Sequence, residues 1–258
     1  MTDGSSQNAI LQVENLDLSY GEHKVLSGVS FEVQEGSCLV VMGGSGCGKS
    51  TLLKSLVGLL EPAGGEVFFN SSNLWASSPE EKEAIFRSFG VLFQGGALWS
   101  SMNLLENVSL PLETYTDLSD SEIADVAAYK LGLVGLAGHE EFYPSQLSGG
   151  MKKRAGLARA MALDPEILFF DEPSAGLDPL SSRRLDDLIN ELKESLGITF
   201  VVVSHELASI FEIADDSIFL DAKSQTLLQQ GSPAWLLDNS EHDHLRTFLS
   251  RGPSSWKL

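Results

Sequence analysis

The residues best suited to chemistry form a glycine-rich stretch between two apolar patterns. Residues 39–42 predict a short buried strand, and residues 51–57 carry apolar side chains at helical spacing. Between them, residues 43–50 read Gly-Gly-Ser-Gly-Cys-Gly-Lys-Ser, which matches the phosphate-loop pattern G-x-x-x-x-G-K-S. Glycines allow backbone N–H groups to turn toward a phosphate chain, and the helix N-terminus adds a positive dipole end. The stretch therefore predicts a nucleotide-binding loop.

Two side chains of this loop have defined tasks. Lys49 offers a cation to the β- and γ-phosphates, and Ser50 offers a hydroxyl to Mg²⁺. A glycine-rich turn that matches the pattern by chance is the alternative, and the strand and helix on either side disfavour it. The residues expected to hold the nucleotide are Gly43, Gly44, Ser45, Gly46, Cys47, Gly48, Lys49, Ser50 and Thr51.

An acidic pair ends a second apolar run. Residues 167–170 are all apolar and are followed by Asp171 and Glu172, so we expect a buried strand with carboxylates at its tip. Asp171 is then placed to hold Mg²⁺, and Glu172 to orient and deprotonate a water molecule. A strand followed by a solvated acidic loop is the common alternative, but the phosphate loop upstream disfavours it.

Three further side chains lie at or just after the ends of predicted strands. Gln94 comes after residues 90–93 and is interpreted as a ligand sensor, and His205 comes after residues 198–203 and is expected to contact the γ-phosphate. Tyr20 ends the first alternating stretch, and the sequence leaves open whether it packs in the core or stacks on a purine.

A second anion-binding pattern lies before another predicted helix. Ser148, Gly149 and Gly150 combine a hydroxyl, free backbone N–H groups and a helix N-terminus. Serine and glycine also cap helices, and without other information the capping interpretation is the stronger one.

Composition limits the class of protein. The chain has 258 residues, 43% hydrophobic content and a net charge of −19, which indicates one or two globular units and disfavours binding to nucleic acid or to anionic membranes. The two cysteines, Cys38 and Cys47, flank or lie within the phosphate loop and predict no disulfide or metal framework. We expect no signal peptide, and no apolar run approaches the roughly 18 residues of a membrane span. A membrane process would therefore need another chain.

The remaining elements alternate in an α/β order. Alternating residues predict strands at 10–20, 25–33 and 66–69, while helical spacing at 104–112 and 120–133 indicates a helical insertion. A helix at 180–196, a hairpin at 217–230 and a helix pair at 233–250 complete the expected elements.

The ordered set of motifs resembles the ATP-binding subunits of ABC transporters. Residues 147–150, Leu-Ser-Gly-Gly, match the signature that separates this family from other phosphate-loop ATPases. The resemblance extends from about residue 10 to residue 231. The matching motifs are Tyr20 (A-loop), 43–50 (Walker A), Gln94 (Q-loop), 147–151 (signature), 167–171 (Walker B), 174–178 (D-loop) and His205 (H-loop).

This resemblance implies a fold and a site. The fold is a RecA-like phosphate-loop core with an N-terminal antiparallel β-subdomain and a helical subdomain insertion. The implied boundaries are a disordered lead-in at 1–9, an ATPase domain at 10–231 with its insertion at about 96–160, and a helical tail at 232–258. The implied roles are catalysis by Glu172, His205 and Gln94, Mg²⁺ binding by Ser50, Gln94 and Asp171, and ATP binding by the loop together with Tyr20, Ser148, Gly149 and Gly150.

The family also implies partners. The chain has one phosphate loop and one signature, so two chains arranged head to tail would hold each ATP between Lys49 of one and Ser148 of the other. Such a homodimer drives an integral membrane permease, with residues 94–102 and the helical insertion as the expected contact. No nucleic-acid partner is expected.

A narrower resemblance concerns the cargo. Residues 93–102 and Met151, where many ABC proteins carry Gln, look like the Mla/Mce branch of lipid-transport ATPases. That branch implies lipid trafficking at the cytoplasmic face of a bacterial inner membrane, with a lipid-binding capture protein. An importer ATPase for a small polar solute and a soluble ABC ATPase outside transport stay open as alternatives.

Overall fold

The computed structural model describes residues 9–250 and contains two β-sheets with helices around them. The strands are β1 (Ala9–Tyr20), β2 (His23–Gln34), β3 (Cys38–Gly43), β4 (Gly64–Phe69), β5 (Ser72–Asn73), β6 (Phe89–Leu92), β7 (Ile167–Asp171), β8 (Thr199–Val203), β9 (Asp216–Asp221) and β10 (Thr226–Gly231). The helices are α1 (Lys49–Leu56), α2 (Pro79–Arg87), α3 (Leu104–Tyr115), α4 (Asp120–Leu133), α5 (Gly149–Ala160), α6 (Pro179–Leu196), α7 (Leu207–Ile213), α8 (Pro233–Asn239) and α9 (Asp243–Leu249). A 3-10 turn, Pro144–Gln146, precedes α5.

The smaller sheet is antiparallel, with strand order β2-β1-β4-β5. Its central strand β1 alternates as predicted, and Val13 lies opposite Phe31 of β2 and Val67 of β4. These side chains are buried together with Leu52 and Leu56 of α1, so this sheet covers the outer face of the phosphate-loop helix.

The larger sheet has the order β10-β9-β3-β8-β7-β6 and is parallel except for β10, which is antiparallel to β9. Its central strands are buried along their whole length, as the continuous apolar runs predict. Val203 of β8 lies beside both Val41 of β3 and Asp171 of β7. Because the three strands are parallel and in this register, the loops that follow them meet at one edge of the sheet.

Helices α3, α4 and α5 lie between β6 and β7 and form the helical insertion. Asn103 and Glu106 build a capping box at the start of α3. Val108 of α3, Leu131 of α4 and Leu157 of α5 are buried in the same apolar cluster. The α/β class with an antiparallel β-subdomain and a helical insertion is thus confirmed.

The C-terminal helices pack onto the larger sheet. Leu236 of α8 and Leu245 and Leu249 of α9 are buried in the core cluster. The predicted lead-in at 1–9 lies outside the described residues except for Ala9, which begins β1, and the last eight residues of the predicted tail also lie outside them.

Some element bounds differ from the sequence prediction. The strand expected at residues 90–93 ends at Leu92, and Phe93 is 39% exposed, because the pairing of this edge strand with β7 stops at Leu92. Helix α7 was not predicted, because seven residues are too few to display a helical period. In the described part of the chain, no helix combines the length and apolarity needed to cross a bilayer.

Candidate functional site

A cleft of about 930 Å³ opens where β3, β7 and β8 end. It has the volume of a small-molecule site at the carboxyl edge of a parallel sheet. Eleven of the residues singled out from the sequence line it: Tyr20, Gly43, Gly44, Ser45, Gly46, Gly48, Lys49, Ser50, Thr51, Glu172 and His205.

The loop after β3 needs glycine at defined positions. Gly43 has φ +149°, and a Cβ there would lie 2.4 Å from the carbonyl oxygen of Leu220 and 2.6 Å from Cys47 Sγ. Gly48 has φ +101° and forms the N-cap of α1. Cys47 is buried beneath the loop and does not line the cleft, so only its backbone belongs to the predicted nucleotide cradle.

Lys49 is held by the loop that precedes it. Lys49 is only 8% exposed. Its Nζ donates to the carbonyl oxygens of Gly43 and Gly44 at 3.0 and 3.1 Å. The folded loop therefore positions an ammonium group at the cleft floor.

Ser50, which lines the cleft, contacts Asp171 at the end of β7. Ser50 Oγ donates to Asp171 Oδ1 at 3.1 Å. A hydroxyl oxygen and a carboxylate oxygen in contact are the donor types that Mg²⁺ prefers, so this pair fits that ion. Within residues 9–250, no group of three His, Cys, Asp or Glu side chains could hold a metal ion without other ligands. A cation here would take its remaining ligands from phosphate oxygens and water.

Glu172 and His205 form the second contact of the site. His205 Nδ1 lies 2.9 Å from Glu172 Oε1, and an ionised carboxylate can only accept, so Nδ1 is then the donor. Glu172 has φ +50°, and its N–H donates to the carbonyl oxygen of Val203 at 2.9 Å. A left-handed glutamate is a strained conformation of the kind found at functional sites.

Tyr20 is 48% exposed at the cleft mouth, beside His23 and Val25. Tyr20 therefore does not pack in the core, which was one of the two interpretations that the sequence left open. The exposed ring is available for stacking against a planar ligand.

Six predicted site residues do not line the cleft. Two of them adjoin it, since Cys47 is buried under the loop and Asp171 accepts from Ser50. Of the described residues that line it, none is Gln94, Ser148, Gly149 or Gly150. Ser148 caps α5 and accepts from the Met151 N–H at 3.3 Å, as the capping interpretation predicts. Ser148 is nevertheless exposed, so the N-terminus of α5 faces the surface of the protein.

One wall of the cleft was not predicted. Helix α9 contributes His244, Thr247 and Phe248. The Phe248 ring packs edge-on against Phe219 at 5.4 Å, and His244 Nδ1 lies 3.3 Å from Asp221 Oδ1. Nothing in the sequence pairs this helix with a phosphate loop two hundred residues upstream, because no motif marks it.

These features define a phosphate-loop ATPase. They are the cleft with Lys49, the contact of Ser50 with Asp171 and the contact of Glu172 with His205. A family model described as "ABC transporter" matches residues 26–175, and the chain belongs to this family. It is the ATP-hydrolysing subunit of a transporter, and its ligand is ATP.

Three comparisons describe its relatives. The "probable ribonucleotide transport ATP-binding protein mkl" of Mycobacterium tuberculosis is 38% identical over 96% of this chain and 68% of that protein. The "intermembrane phospholipid transport system ATP-binding protein MlaF" of Escherichia coli is 37% identical over 93% of this chain and 88% of that protein. A solved dimeric ATP-binding cassette in a post-hydrolysis state, bound to ADP and Pi, superposes with a TM-score of 0.77 at 30% identity, covering 86% of this chain and 98% of that chain.

Proposed function

We propose that Glu172 is the general base of ATP hydrolysis and that His205 positions it. The observation that carries this proposal is the 2.9 Å contact between the two side chains in the cleft that also holds Lys49. Glu172 accepts the proton of the attacking water, and the Nδ1–H of His205 keeps its carboxylate turned toward the phosphate end of the cleft. Lys49 and the N–H groups of the loop bind the phosphates.

Mg²⁺ is the proposed companion of ATP. Ser50 and Asp171 would hold it, and Gln94 would be the further ligand suggested by the family pattern. When bound, the ion would supply charge that neutralises the phosphate oxygens. The protein's own part is to keep the hydroxyl and carboxylate in contact at the base of the loop.

The test of Glu172 is a substitution that keeps its shape. Glu172→Gln should lower kcat by about 10² to 10⁴-fold while ATP binding persists, because an amide cannot take the proton. Glu166→Gln is the matched control, since Glu166 immediately precedes the same strand at its other end and bonds to Asn70. Turnover of the Glu172 variant within a few fold of the unchanged protein would contradict the assignment.

The active form that we propose is a head-to-tail homodimer. Ser148 is exposed at the N-terminus of α5 and does not line the cleft of its own chain, so a second chain is needed to bring a signature to each ATP. The dimeric cassette found among the similar structures supports this assembly.

Mixed dimers provide the test of shared sites. Lys49→Ala chains and Ser148→Arg chains should each be inactive, and mixing them should restore one working site per mixed dimer. The control is each variant mixed with itself. If mixed dimers form, shown by two affinity tags, and no activity returns, the composite site is wrong.

The transporter partner that we propose is an integral membrane permease. A groove of about 480 Å³ lies between α2 and β6 on one side and α3 and α5 on the other, and Phe86 and Tyr115 are exposed on its walls. Trp99 is 58% exposed in the loop expected to meet the permease. Large exposed apolar side chains mark a protein interface where they cluster. Trp99→Ala should weaken recovery of the permease from solubilised membranes, while Tyr129→Ala, which removes an exposed ring elsewhere on the insertion, should not.

Phospholipid is the proposed cargo, moved at the cytoplasmic face of a bacterial inner membrane with a lipid-binding capture protein. The support is the similarity to MlaF, together with Met151 and residues 93–102. The relatives named for ribonucleotide transport favour a second candidate, a polar solute.

Loss of the protein should make the outer membrane permeable to detergent, and a Lys49→Ala copy should not restore the barrier. Intact envelopes with lost uptake of a nucleotide would favour the second candidate.

The proposed division of the chain follows the same reasoning. Residues 10–231 form the ATPase domain with its helical subdomain at about 96–160, and residues from 232 onward form the tail.

A further inference from the structure

The chain buries a lysine that the motifs do not account for. Lys153 belongs to the second turn of α5 and is 6% exposed. Its ammonium group donates to the main-chain carbonyl oxygen of Gln94, and it lies 3.4 Å from the main-chain carbonyl oxygen of Glu172. One cation therefore joins the peptide that follows β6 to the peptide that follows β7.

This arrangement is unusual for a buried charge. In residues 9–250, no carboxylate oxygen lies within 4.0 Å of Lys153 Nζ, so the charge is compensated mainly by carbonyl dipoles. Burial lowers the pKa of Lys153, and the carboxylates of Asp171, Glu172 and Glu206 oppose that shift from a distance. Buried cations that lack an ion-pair partner are uncommon in protein cores, and an apolar side chain would avoid the desolvation. The cost of burying Lys153 therefore suggests a functional reason for a cation at this position.

Helix α5 holds the Gln94 loop at a second point. Arg159 donates to the carbonyl oxygens of Ala97 at 2.7 Å and Gly96 at 3.3 Å. Between the two cations, Gly156 packs so closely that a Cβ there would lie 2.9 Å from the carbonyl oxygen of Gly96. Residues 94–97 and α5 are thus bound as one body.

The peptide of Glu172 is held from several sides. Its N–H donates to Val203, and its carbonyl oxygen accepts from Ala175 at 3.1 Å as well as facing Lys153. Since φ of Glu172 is +50°, this backbone conformation needs such support to persist.

We propose that Lys153 is a positioning residue that transmits the placement of the signature helix to the general base of its own chain. Ser148 caps α5 and Lys153 lies in the second turn of that helix. Docking of Ser148 on the partner's ATP therefore sets the position of the Lys153 ammonium group, and with it the peptides of Gln94 and Glu172. Each ATP site would then hydrolyse its nucleotide only when the other site is closed around its own ATP. This inference rests on the proposed roles of Glu172 and Ser148.

The test compares three variants in the full chain assembled with its permease. Lys153→Met should lower kcat by about 10 to 100-fold, the effect of a small misplacement, and should leave KM and the Kd for ATP within about two-fold. It should also bring the Hill coefficient for ATP toward one. Lys153→Arg, which keeps a cation that can reach the same carbonyls, should recover most of kcat and the cooperativity.

Arg154→Met is the matched control. Arg154 is the next residue of α5, and its guanidinium donates to the carbonyl oxygens of Val134 and Gly135, away from the cleft. Its loss should lower thermal stability and leave kcat and the Hill coefficient within about two-fold of the unchanged protein, since no group of the site is displaced.

The outcomes separate this inference from the proposed function. If Glu172→Gln keeps its turnover, the proposed function fails and this inference fails with it. If Glu172→Gln is inactive while Lys153→Met keeps kcat and cooperativity, only this inference is overturned. Parallel losses of kcat in Arg154→Met, or no recovery in Lys153→Arg, would show a structural role and also overturn it. If Lys153→Met does not fold, the same readouts on Lys153→Gln decide.

Discussion

His205 Nδ1 lies 2.9 Å from Glu172 Oε1, although the two residues are 33 positions apart in the chain. The contact follows from the sheet, because Asp171 and Val203 are paired across β7 and β8. Glu172 is the first residue after β7, and His205 is the second residue after β8. The hydrogen bond restricts the rotation of the glutamate carboxylate. It also gives the histidine a fixed orientation at the cleft.

Removal of this histidine should reduce turnover more than binding. His205→Ala frees the Glu172 carboxylate to rotate and is expected to lower kcat by about 10²-fold, with the Kd for ATP changed by less than about five-fold. Stopped-flow phosphate release and fluorescent-nucleotide titration measure the two quantities. His139→Ala, at a half-buried histidine of the helical insertion that does not line the cleft, is the control, and equal kcat values for the two variants would contradict the prediction.

The phosphate loop should tolerate a methyl group at one glycine and not at its neighbour. Gly43→Ala places a Cβ 2.4 Å from the Leu220 carbonyl oxygen at φ +149°, whereas Gly44→Ala meets no atom within 4 Å. We expect Gly43→Ala to lose about 2 kcal/mol of stability, or about 4–8 °C in Tm, before any nucleotide is added. Gly44→Ala should have a Tm close to that of the unchanged protein. Calorimetry without nucleotide compares them, and equal Tm values would show that the loop relaxes.

The buried carboxyl of Asp186 should make stability depend on pH. Asp186 of α6 is 5% exposed and accepts from Ser209 Oγ of α7 at 2.9 Å. Burial raises its pKa to about 7, the hydrogen bond from Ser209 opposes that shift, and the nearby carboxylates of Glu206, Glu212 and Asp187 add to it.

The sign of this effect follows from proton linkage. Between pH 4 and 7 the folded chain keeps the proton that the unfolded chain loses, so the contribution of Asp186 to stability declines as pH rises and is constant above about pH 7. Asp186→Asn should match the unchanged protein near pH 4 and be more stable at pH 8 by up to about 4 kcal/mol. Urea unfolding from pH 5 to 8 measures this. Asp187→Asn, an exposed neighbour, should show no such trend, and parallel curves for Asp186→Asn and the unchanged protein would refute the assignment.

The C-terminal helix should contribute to nucleotide affinity. Phe248 lines the cleft and packs against Phe219, so Phe248→Ala removes part of one wall. We expect the Kd for ATP to rise about five-fold, which corresponds to about 1 kcal/mol. Arg246→Ala alters an exposed residue of the same helix and is the control. An unchanged Kd in the Phe248 variant would mean that α9 stays clear of the bound nucleotide.

Much of the fold could be predicted because its signals are local. The period of two in β1, the helical spacing of α3 and the apolar runs of β3, β7 and β8 each depend on neighbouring residues, and the structure has these elements at the expected places. The short helix α7 and the end of β6 at Leu92 could not be predicted, because packing and strand pairing decide them and no local period records them.

By itself, the sequence determined the phosphate loop, the acidic pair and the order of the motifs, since these depend on residue types at fixed short spacings. Only the tertiary structure decided which distant groups meet. The contact of His205 with Glu172, the bridge from Lys153 to two carbonyl oxygens and the entry of Phe248 into the cleft all join separate elements. They depend on strand order, register and helix packing, and these are set by the summed burial of the whole core rather than by any one segment.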